Sequence, residues 1–402
     1  MIKIGLLKEG KIPPDRRIVL TPHHALALMK KYPDIVVVVV EDNQNRCFTN
    51  NEYEHAGVEV VQDISDCNIL LGVKEVPVNQ LIEGKTYMFF SHTIKKQEHN
   101  RRLLQEILKK KIRLIDYECL HDVEGNRLIG FGRFAGIVGA QHALVMWGKY
   151  TGRYELKRAI EHHDYNLLIE SNNNIDFGKV KIFVTGNGRV SKGAVELLEH
   201  AGIKKLTVKE YLAYQGDRPV YCQCDMDELY RHKKGKPFDF HHFFSFPEQY
   251  ECVFDKFFTS TDILINGMFW SPKADRLFQP EDIKKDNFNI RIISDISCDI
   301  NGSVPLTTRA TTIDQPYFGV SRQNIQECEP FIKDEITMMT IDNLPNELPR
   351  DASAMFAEVM AERVLPLLIE QPDHPIIYNA TIAADGKLNE PFSYLADYVA
   401  GQ

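Results

Sequence analysis

Short apolar segments and longer amphipathic segments alternate along the first 140 residues of the chain. Apolar runs of strand length occupy residues 2–7, 35–40, 69–73, 86–90 and 113–116. Residues 22–31 and 96–111 instead repeat apolar positions with the period of a helix. Strands that alternate with helices in this way predict a parallel sheet with helices on both faces.

The pattern changes in the second part of the chain. Small and apolar residues predict a long helix over 135–162, and strand-like runs follow at 180–185, 205–208, 262–266 and 291–295. The stretch 211–259 is rich in Tyr and Phe and delays the next strand after 205–208, so we interpret it as an insertion. A strong helical pattern at 352–370 predicts a helix that packs back against the first domain.

Together these elements predict an α/β protein with two Rossmann-like domains, each built on a parallel sheet. We expect a discontinuous catalytic (substrate) domain formed by residues 1–140 and 320–402. A dinucleotide-binding domain, residues 141–319, is inserted into it and carries the 211–259 insertion.

The segment 179–199 reads as a buried strand, a glycine turn and a helix. Gly186 and Gly188 allow a tight turn and a close approach of the backbone to a pyrophosphate, which the start of the helix favours. Ser191 takes the place of the third glycine of the fingerprint and is small enough for close packing. We therefore predict that Gly186, Gly188, Arg189, Val190 and Ser191 contact a dinucleotide.

Composition narrows the class of protein. Of the 402 residues, 44% are hydrophobic and 26% charged, as in globular enzymes, and the net charge of −8 gives no reason to expect nucleic acid. No run is long enough to span a bilayer, and the first residues lack a signal-peptide pattern. The eight scattered cysteines are expected to be free thiols in a reducing cytoplasm. Cys222 and Cys224 with His241 and His242 lack the spacing of a zinc site, so no metal is predicted.

Basic residues follow the predicted strands of the first domain. Arg17 comes after the first strand, Lys74 ends the run at 69–73, and His92 follows the run at 86–90. Ligands bind α/β sheets beyond the carboxyl ends of the strands, so these side chains are expected to share one crevice. Lys74 and His92 would then act as a general base and a general acid on one substrate. Arg17 would bind a carboxylate through two parallel hydrogen bonds. The alternative for Arg17 is a solvated surface arginine.

A second group of charged residues lies nearby in sequence. Lys95 follows His92, and Glu118, Asp122 and Arg127 come after the strand at 113–116. An acid in a cleft holds an ammonium group, and the lysine adds charge for a carboxylate. The alternative is a charged surface turn.

These clusters resemble the lysine-forming saccharopine dehydrogenases, a family grouped with the alanine dehydrogenases and the transhydrogenase nucleotide subunits. The resemblance rests on the segments at 17–22, 72–75, 91–95, 116–120, 131–136 and 341–353. It implies reversible oxidative cleavage of a secondary amine to lysine and 2-oxoglutarate, with NAD as hydride acceptor. It assigns acid–base catalysis to Lys74 and His92, substrate binding to Arg17, Lys95, Glu118, Asp122 and Arg127, and cofactor contacts to Asp342 and Leu344.

One departure from the family concerns the cofactor. The family has an aspartate near Thr207 that takes the ribose hydroxyls, and threonine does not repel a 2′-phosphate as a carboxylate does. Lys204, Lys205 and Lys209 are close in sequence, and Glu210 is an alternative acid. NAD is favoured, and NADP remains open.

Two other functions remain open. The first is an alanine dehydrogenase-like or opine-type amino-acid dehydrogenase, which would share Arg17, Lys74 and His92. The second is a nucleotide-binding protein without turnover, which has no need of these residues. For either dehydrogenase the expected partners are a small amino acid and a 2-oxo acid, and the protein is expected to be a monomer or a homodimer.

Overall fold

The structure is a computed structural model that describes residues 1–10 and 12–401. The chain divides into two compact units, Met1–Phe131 with Pro349–Gln402, and Gly132–Leu348. The boundaries thus follow Phe131 and Leu348, whereas the sequence analysis placed them at 140/141 and 319/320.

The strands are β1 Ile2–Leu6, β2 Val36–Glu41, β3 Glu59–Val61, β4 Ile69–Leu71, β5 Thr86–Phe89, β6 Arg113–Asp116, β7 Lys181–Thr185, β8 Lys204–Lys205, β9 Val220–Cys224, β10 Tyr230–His232, β11 Tyr250–Cys252, β12 Ile263–Asn266, β13 Ile292–Asp295, β14 Tyr317–Val320, β15 Glu327–Cys328, β16 Ile336–Met339, β17 Thr381–Ala384 and β18 Lys387–Leu388. The α-helices are α1 Pro22–Lys31, α2 Asn50–His55, α3 Glu98–Lys109, α4 Gly132–Thr151, α5 Tyr165–Asn172, α6 Arg189–His200, α7 Val208–Ala213, α8 Met226–Leu229, α9 Phe240–Ser245, α10 Pro349–Val359, α11 Leu365–Glu370, α12 Pro375–Ala380 and α13 Ala396–Ala400.

The sheet of the first unit has the order β18-β17-β6-β5-β4-β1-β2-β3. Strands β1 to β6 are parallel, and β17 and β18 add an antiparallel edge. Because β6, β5, β4 and β1 are successive neighbours, the loops after their carboxyl ends lie along one edge of the sheet. These loops carry the basic and acidic residues that the sequence analysis selected.

The C-terminal helices belong to this first unit. The Ser353 hydroxyl of α10 accepts a hydrogen bond from the Ile18 N–H at 3.0 Å, so the helix holds the loop after β1. Arg350 donates to Glu52 at 2.8 Å, which ties α10 to α2. A wide π-helical turn, Met360–Val364, separates α10 from α11. It precedes Pro366, which has no N–H for the helical ladder.

The sheet of the second unit has the order β15-β14-β16-β13-β12-β7-β9-β8. Strand β9, inside the 211–259 range, lies between β7 and β8 and pairs with β7 over its whole length. The range that the sequence analysis interpreted as an insertion therefore contributes β9, the strand next to the edge strand of this sheet. Its aromatic residues Tyr230, Phe243, Tyr250 and Phe254 are buried in the core of this unit. The predicted strand at 205–208 is reduced to the two-residue edge strand β8.

Helix α4 crosses α6 at very short distance. A Cβ on Gly193 would lie 2.0 Å from the Arg133 carbonyl oxygen, and one on Gly136 would lie 1.8 Å from the Val190 carbonyl oxygen. Only glycine fits at either position, so this contact fixes α6, the helix that follows the glycine turn. Helix α4 ends at Thr151 rather than at 162, because Gly152 adopts a positive φ of 63° and terminates it.

Candidate functional site

The loop after β4 is held by a carboxylate from the loop after β1. The Glu9 side chain accepts the Val73 N–H at 2.6 Å and the Lys74 N–H at 3.0 Å. Burial raises the pKa of Glu9 to about 8, with a contribution from the neighbouring Asp15 carboxylate. The backbone of Lys74 is therefore fixed at the carboxyl end of its strand.

His92 follows the neighbouring strand β5, in the left-handed backbone region with φ of 54°. Its Nδ1 makes a hydrogen bond to Glu75, the residue after Lys74. Although burial opposes ionisation, the hydrogen bond to His92 lowers the pKa of Glu75 to about 2. The imidazole is thereby oriented by an ionised carboxylate, and its ring stacks on Phe90.

Arg17 is almost completely buried, with 4% of its surface exposed. Its Nε and a terminal nitrogen donate to the two carboxylate oxygens of Asp15, at 3.0 and 2.6 Å. The guanidinium also lies 4.2 Å from the centre of the Phe131 ring. Although burial opposes ionisation, the Arg17 charge lowers the pKa of Asp15 to about 2. The arginine is thus a fixed cation rather than a solvated surface group.

Glu118 lies between two cations after β6. Its Oε1 is 3.5 Å from both the Lys95 ammonium and an Arg127 terminal nitrogen. Its Oε2 is buried and has no hydrogen-bond partner among residues 1–10 and 12–401. The loop itself is anchored by Asp116, which accepts the Glu118 N–H at 2.7 Å. Lys95, Glu118 and Arg127 therefore form one cluster in which two cations lie beside a single carboxylate.

Asp122 has a local partner. Its carboxylate accepts the N–H groups of Glu124 and Asn126, at 3.0 and 2.8 Å, and so closes the turn that precedes Arg127. A groove of about 560 Å³ lies beside this turn and is lined by Glu118, Asp122 and Arg127 together with residues of the C-terminal segment, among them Asn379 and Tyr394. This volume is in the range of small-molecule sites.

The second unit carries the glycine turn. Gly186 has φ of +83°, and a Cβ there would lie 3.0 Å from Met268 and from the Ser191 hydroxyl. Gly188 caps α6, and the space where its Cβ would stand is open. Ser191 is buried, and its hydroxyl donates to the Thr185 carbonyl at 2.7 Å. Arg189 and Val190 lie in the first turn of α6. The backbone N–H groups of a first turn point out of the N-terminal end of the helix. This cradle fits a pyrophosphate.

On the side of β8, the neighbour of β7 is β9, so the end of β9 is a second candidate for the ribose position. Thr207 instead follows the edge strand β8 and caps α7, where Glu210 accepts its N–H at 2.9 Å. The Gly186 N–H donates to the Cys224 carbonyl at 2.6 Å, so Asp225 follows the strand beside the glycine turn. The sequence analysis missed β9 and therefore considered only Thr207 and Glu210 for the ribose position, which stays a prediction.

The remaining predicted cofactor residues follow β16. This strand is parallel to β13, as β13 is to β12 and β12 to β7, so its carboxyl end lies at the edge that carries the glycine turn. Asp342 is exposed there, and Leu344 is buried. In the described ranges of the chain, no three His, Cys, Asp or Glu side chains are grouped to hold a metal ion. No helix there is both long and apolar enough to cross a membrane.

Known proteins of similar sequence and fold indicate which families the chain resembles. Residues 5–138 match the family described as alanine dehydrogenase/PNT, N-terminal domain. The saccharopine dehydrogenase [NAD(+), L-lysine-forming] of Emericella nidulans is 29% identical, over 91% of this chain and 92% of its own. The chain is therefore similar to a lysine-forming saccharopine dehydrogenase over nearly its whole length. The resemblance stated from the sequence is thereby confirmed.

Further relatives of this chain are longer proteins. The alpha-aminoadipic semialdehyde synthase of Arabidopsis thaliana is 30% identical over 98% of this chain but only 41% of its own. The mouse protein of that name is 28% identical, and the chain covers 47% of it. The chain thus spans less than half the length of these relatives. A solved L-alanine dehydrogenase has a TM-score of 0.66 at 15% identity, over 100% of this chain and 99% of its own, which confirms the α/β fold with two Rossmann-like units.

Sequence reasoning missed the acids that hold the basic residues. Glu9, Asp15 and Glu75 contact the Lys74 backbone, Arg17 and His92, respectively. A carboxylate directly after Lys74 and another two residues before Arg17 were visible in the sequence. The contacts of these acids depend on how β1, β4 and β5 pair, and the sequence does not specify that pairing at the level of single residues. One relative of similar length is named as a dehydrogenase that uses NAD(+).

Proposed function

We propose that this protein is an NAD-dependent dehydrogenase that cleaves a secondary amine reversibly to an amino acid, lysine, and a 2-oxo acid, 2-oxoglutarate. The observation that supports this best is the cluster of Glu118 between Lys95 and Arg127, beside a groove of about 560 Å³. Its cations suit the carboxylates of a dicarboxylic product, and the buried Glu118 oxygen suits the ammonium group of an amino acid.

The bound dinucleotide would accept hydride from the carbon that bears the amine. Gly186, Gly188 and the first turn of α6 would hold its pyrophosphate. Asp225 would hold the adenosine ribose hydroxyls and repel a 2′-phosphate, which is why we favour NAD over NADP. Asp342 and Leu344 would contact the cofactor from the loop after β16.

The residues of the first unit would move protons and hold the substrate. Lys74 would accept the proton of the secondary amine as hydride leaves, and His92 would donate and accept protons while water adds to the imine carbon and the amine departs. Arg17 would hold a substrate carboxylate, fixed in place by Asp15. Asp122 would shape the turn that presents Arg127.

A nicotinamide absorbance assay tests the function. Oxidation of NADH with 2-oxoglutarate plus lysine, and not with pyruvate plus ammonia, is the expected result. Activity with pyruvate and ammonia alone would replace the proposal by an alanine dehydrogenase, and silence with every combination would refute a dehydrogenase of either substrate class.

The cofactor assignment has its own matched test. Asp225→Ser should lower the preference for NADH over NADPH about tenfold or more, because the repulsion of the 2′-phosphate is removed. Thr207→Asp, a change at the end of the edge strand, should leave that preference unchanged. A shift with Thr207→Asp but not with Asp225→Ser would refute the assignment to β9.

A further inference from the structure

A second groove lies in the second unit, between the β10–β11 hairpin and α9. Its volume is about 700 Å³, and its lining includes His232, Lys236, Phe238, Asp239, His242 and Tyr250. Pockets of roughly 300–1,000 Å³ are typical of small-molecule sites. None of the residues assigned above to substrate, to catalysis or to the dinucleotide lines it.

His232 places a hydrogen-bond donor in the wall of this groove. Only 4% of the residue is exposed. Its Nδ1 accepts the Lys234 N–H at 3.0 Å, so the neutral ring carries its proton on Nε2. Burial, followed by the positive charge of Lys236, lowers the pKa of His232, which favours this neutral form. The Gln249 side chain lies near this ring and opposes the lowering of the pKa, but the buried Nε2 makes no hydrogen bond of normal geometry with the described residues. Because buried donors are almost always paired, this N–H favours an additional acceptor in the groove.

The other polar groups of the groove are mostly occupied. The His242 Nδ1 is 3.1 Å from the Tyr250 hydroxyl. The Asp239 carboxylate accepts the His242 N–H at 2.7 Å, which caps α9. Lys236 is an exposed basic residue in the lining of the groove, and the rings of Phe238 and Tyr250 supply flat apolar surface. Donors, one ammonium and aromatic walls favour an acceptor that is negatively charged and attached to an apolar body.

We propose that this groove binds a small organic anion, a phosphate or carboxylate group on a flat apolar body. The anionic group would accept from the His232 Nε2–H and from the Lys236 ammonium. The apolar body would pack on Phe238 and Tyr250.

Calorimetry with phenyl phosphate, inorganic phosphate and phenol tests the site on the full chain. Phenyl phosphate should bind measurably at millimolar concentration, and more tightly than either half of the molecule. Lys236→Met should weaken its binding about tenfold, because a charge-assisted hydrogen bond is lost. The matched control is Lys233→Met, since Lys233 belongs to the same turn and donates to the Glu248 carbonyl at 2.8 Å instead.

The His232 donor is tested separately. In nitrogen-15 spectra, the Nε2 resonance of His232 should move on addition of phenyl phosphate, and His232→Phe should weaken binding while filling the same space. No binding of phenyl phosphate, or equal binding by the Lys236→Met and Lys233→Met variants, overturns the proposal. Inorganic phosphate that binds as tightly as phenyl phosphate overturns the role of the aromatic walls.

Discussion

Replacing Asp15 by Asn should destabilise the first unit strongly. Asp15 and Arg17 form an ion pair with a closest N–O distance of 2.6 Å, and their side chains are 0% and 4% exposed. The substitution leaves a buried guanidinium without its charged partner, which costs about 3–5 kcal/mol in comparable buried pairs. The lowered pKa of Asp15 gives an independent value for the contribution of the ion pair to stability. A fall from 3.8 to about 2 corresponds to about 2 kcal/mol of stability at neutral pH.

A matched surface pair serves as the control. Arg153 and Asp176 also approach to 2.6 Å, but their side chains are 51% and 75% exposed. Asp176→Asn should leave the urea midpoint nearly unchanged, because water already solvates both charges. Urea unfolding of the three proteins, followed by circular dichroism, measures the difference. Equal midpoints for the Asp15→Asn and Asp176→Asn variants would refute the argument from burial.

The sign of the pH dependence follows from the direction of the shift. Because the pKa of Asp15 is lowered on folding, its ionised form stabilises the protein above its ordinary pKa of 3.8. That contribution is lost as the pH falls through about 2. The stability difference between the wild type and the Asp15→Asn variant should therefore be constant at neutral pH and shrink only in strong acid.

Three further predictions concern the two units. Lys74→Met and His92→Gln should each reduce turnover about 10²–10⁴-fold while NADH binding, measured by fluorescence, stays the same; normal turnover in both would place the chemistry elsewhere. Glu75→Gln should lower turnover about tenfold or more with little change in KM, since the imidazole loses its orienting carboxylate, and unchanged turnover would contradict that role. Gly193→Ala should lower the melting temperature because its Cβ meets the Arg133 carbonyl at 2.0 Å, whereas Gly188→Ala should fold normally but weaken NADH binding; the reverse pattern would contradict the geometry of α6.

The sequence predicted the parts of the fold that depend on strong local patterns. The valine-rich strand β2, the glycine turn and the helix at α10 are such cases. Strand β9 was missed because its residues 220–224, with two cysteines and a glutamine, lack the apolar signal of β2. Its place beside β7 is set by pairing across the sheet. Because of that omission, the sequence analysis did not consider Asp225 for the ribose position.

The basic residues of the candidate site can be predicted from the sequence, whereas the acids that contact them cannot. Lys74 and His92 are visible because each follows an apolar strand, and strand ends bind ligands. Glu9 is 65 residues away from the Lys74 N–H that it accepts, and Glu75 is 17 residues away from His92. Only the order of β1, β4 and β5 brings them together. His92 is held in a left-handed backbone conformation that non-glycine residues rarely adopt, at a cost of about 1–3 kcal/mol. Such a conformation persists only where the surrounding structure restrains it, and the Glu75 contact is one such restraint. The strained backbone therefore favours a functional reason for the position of the imidazole.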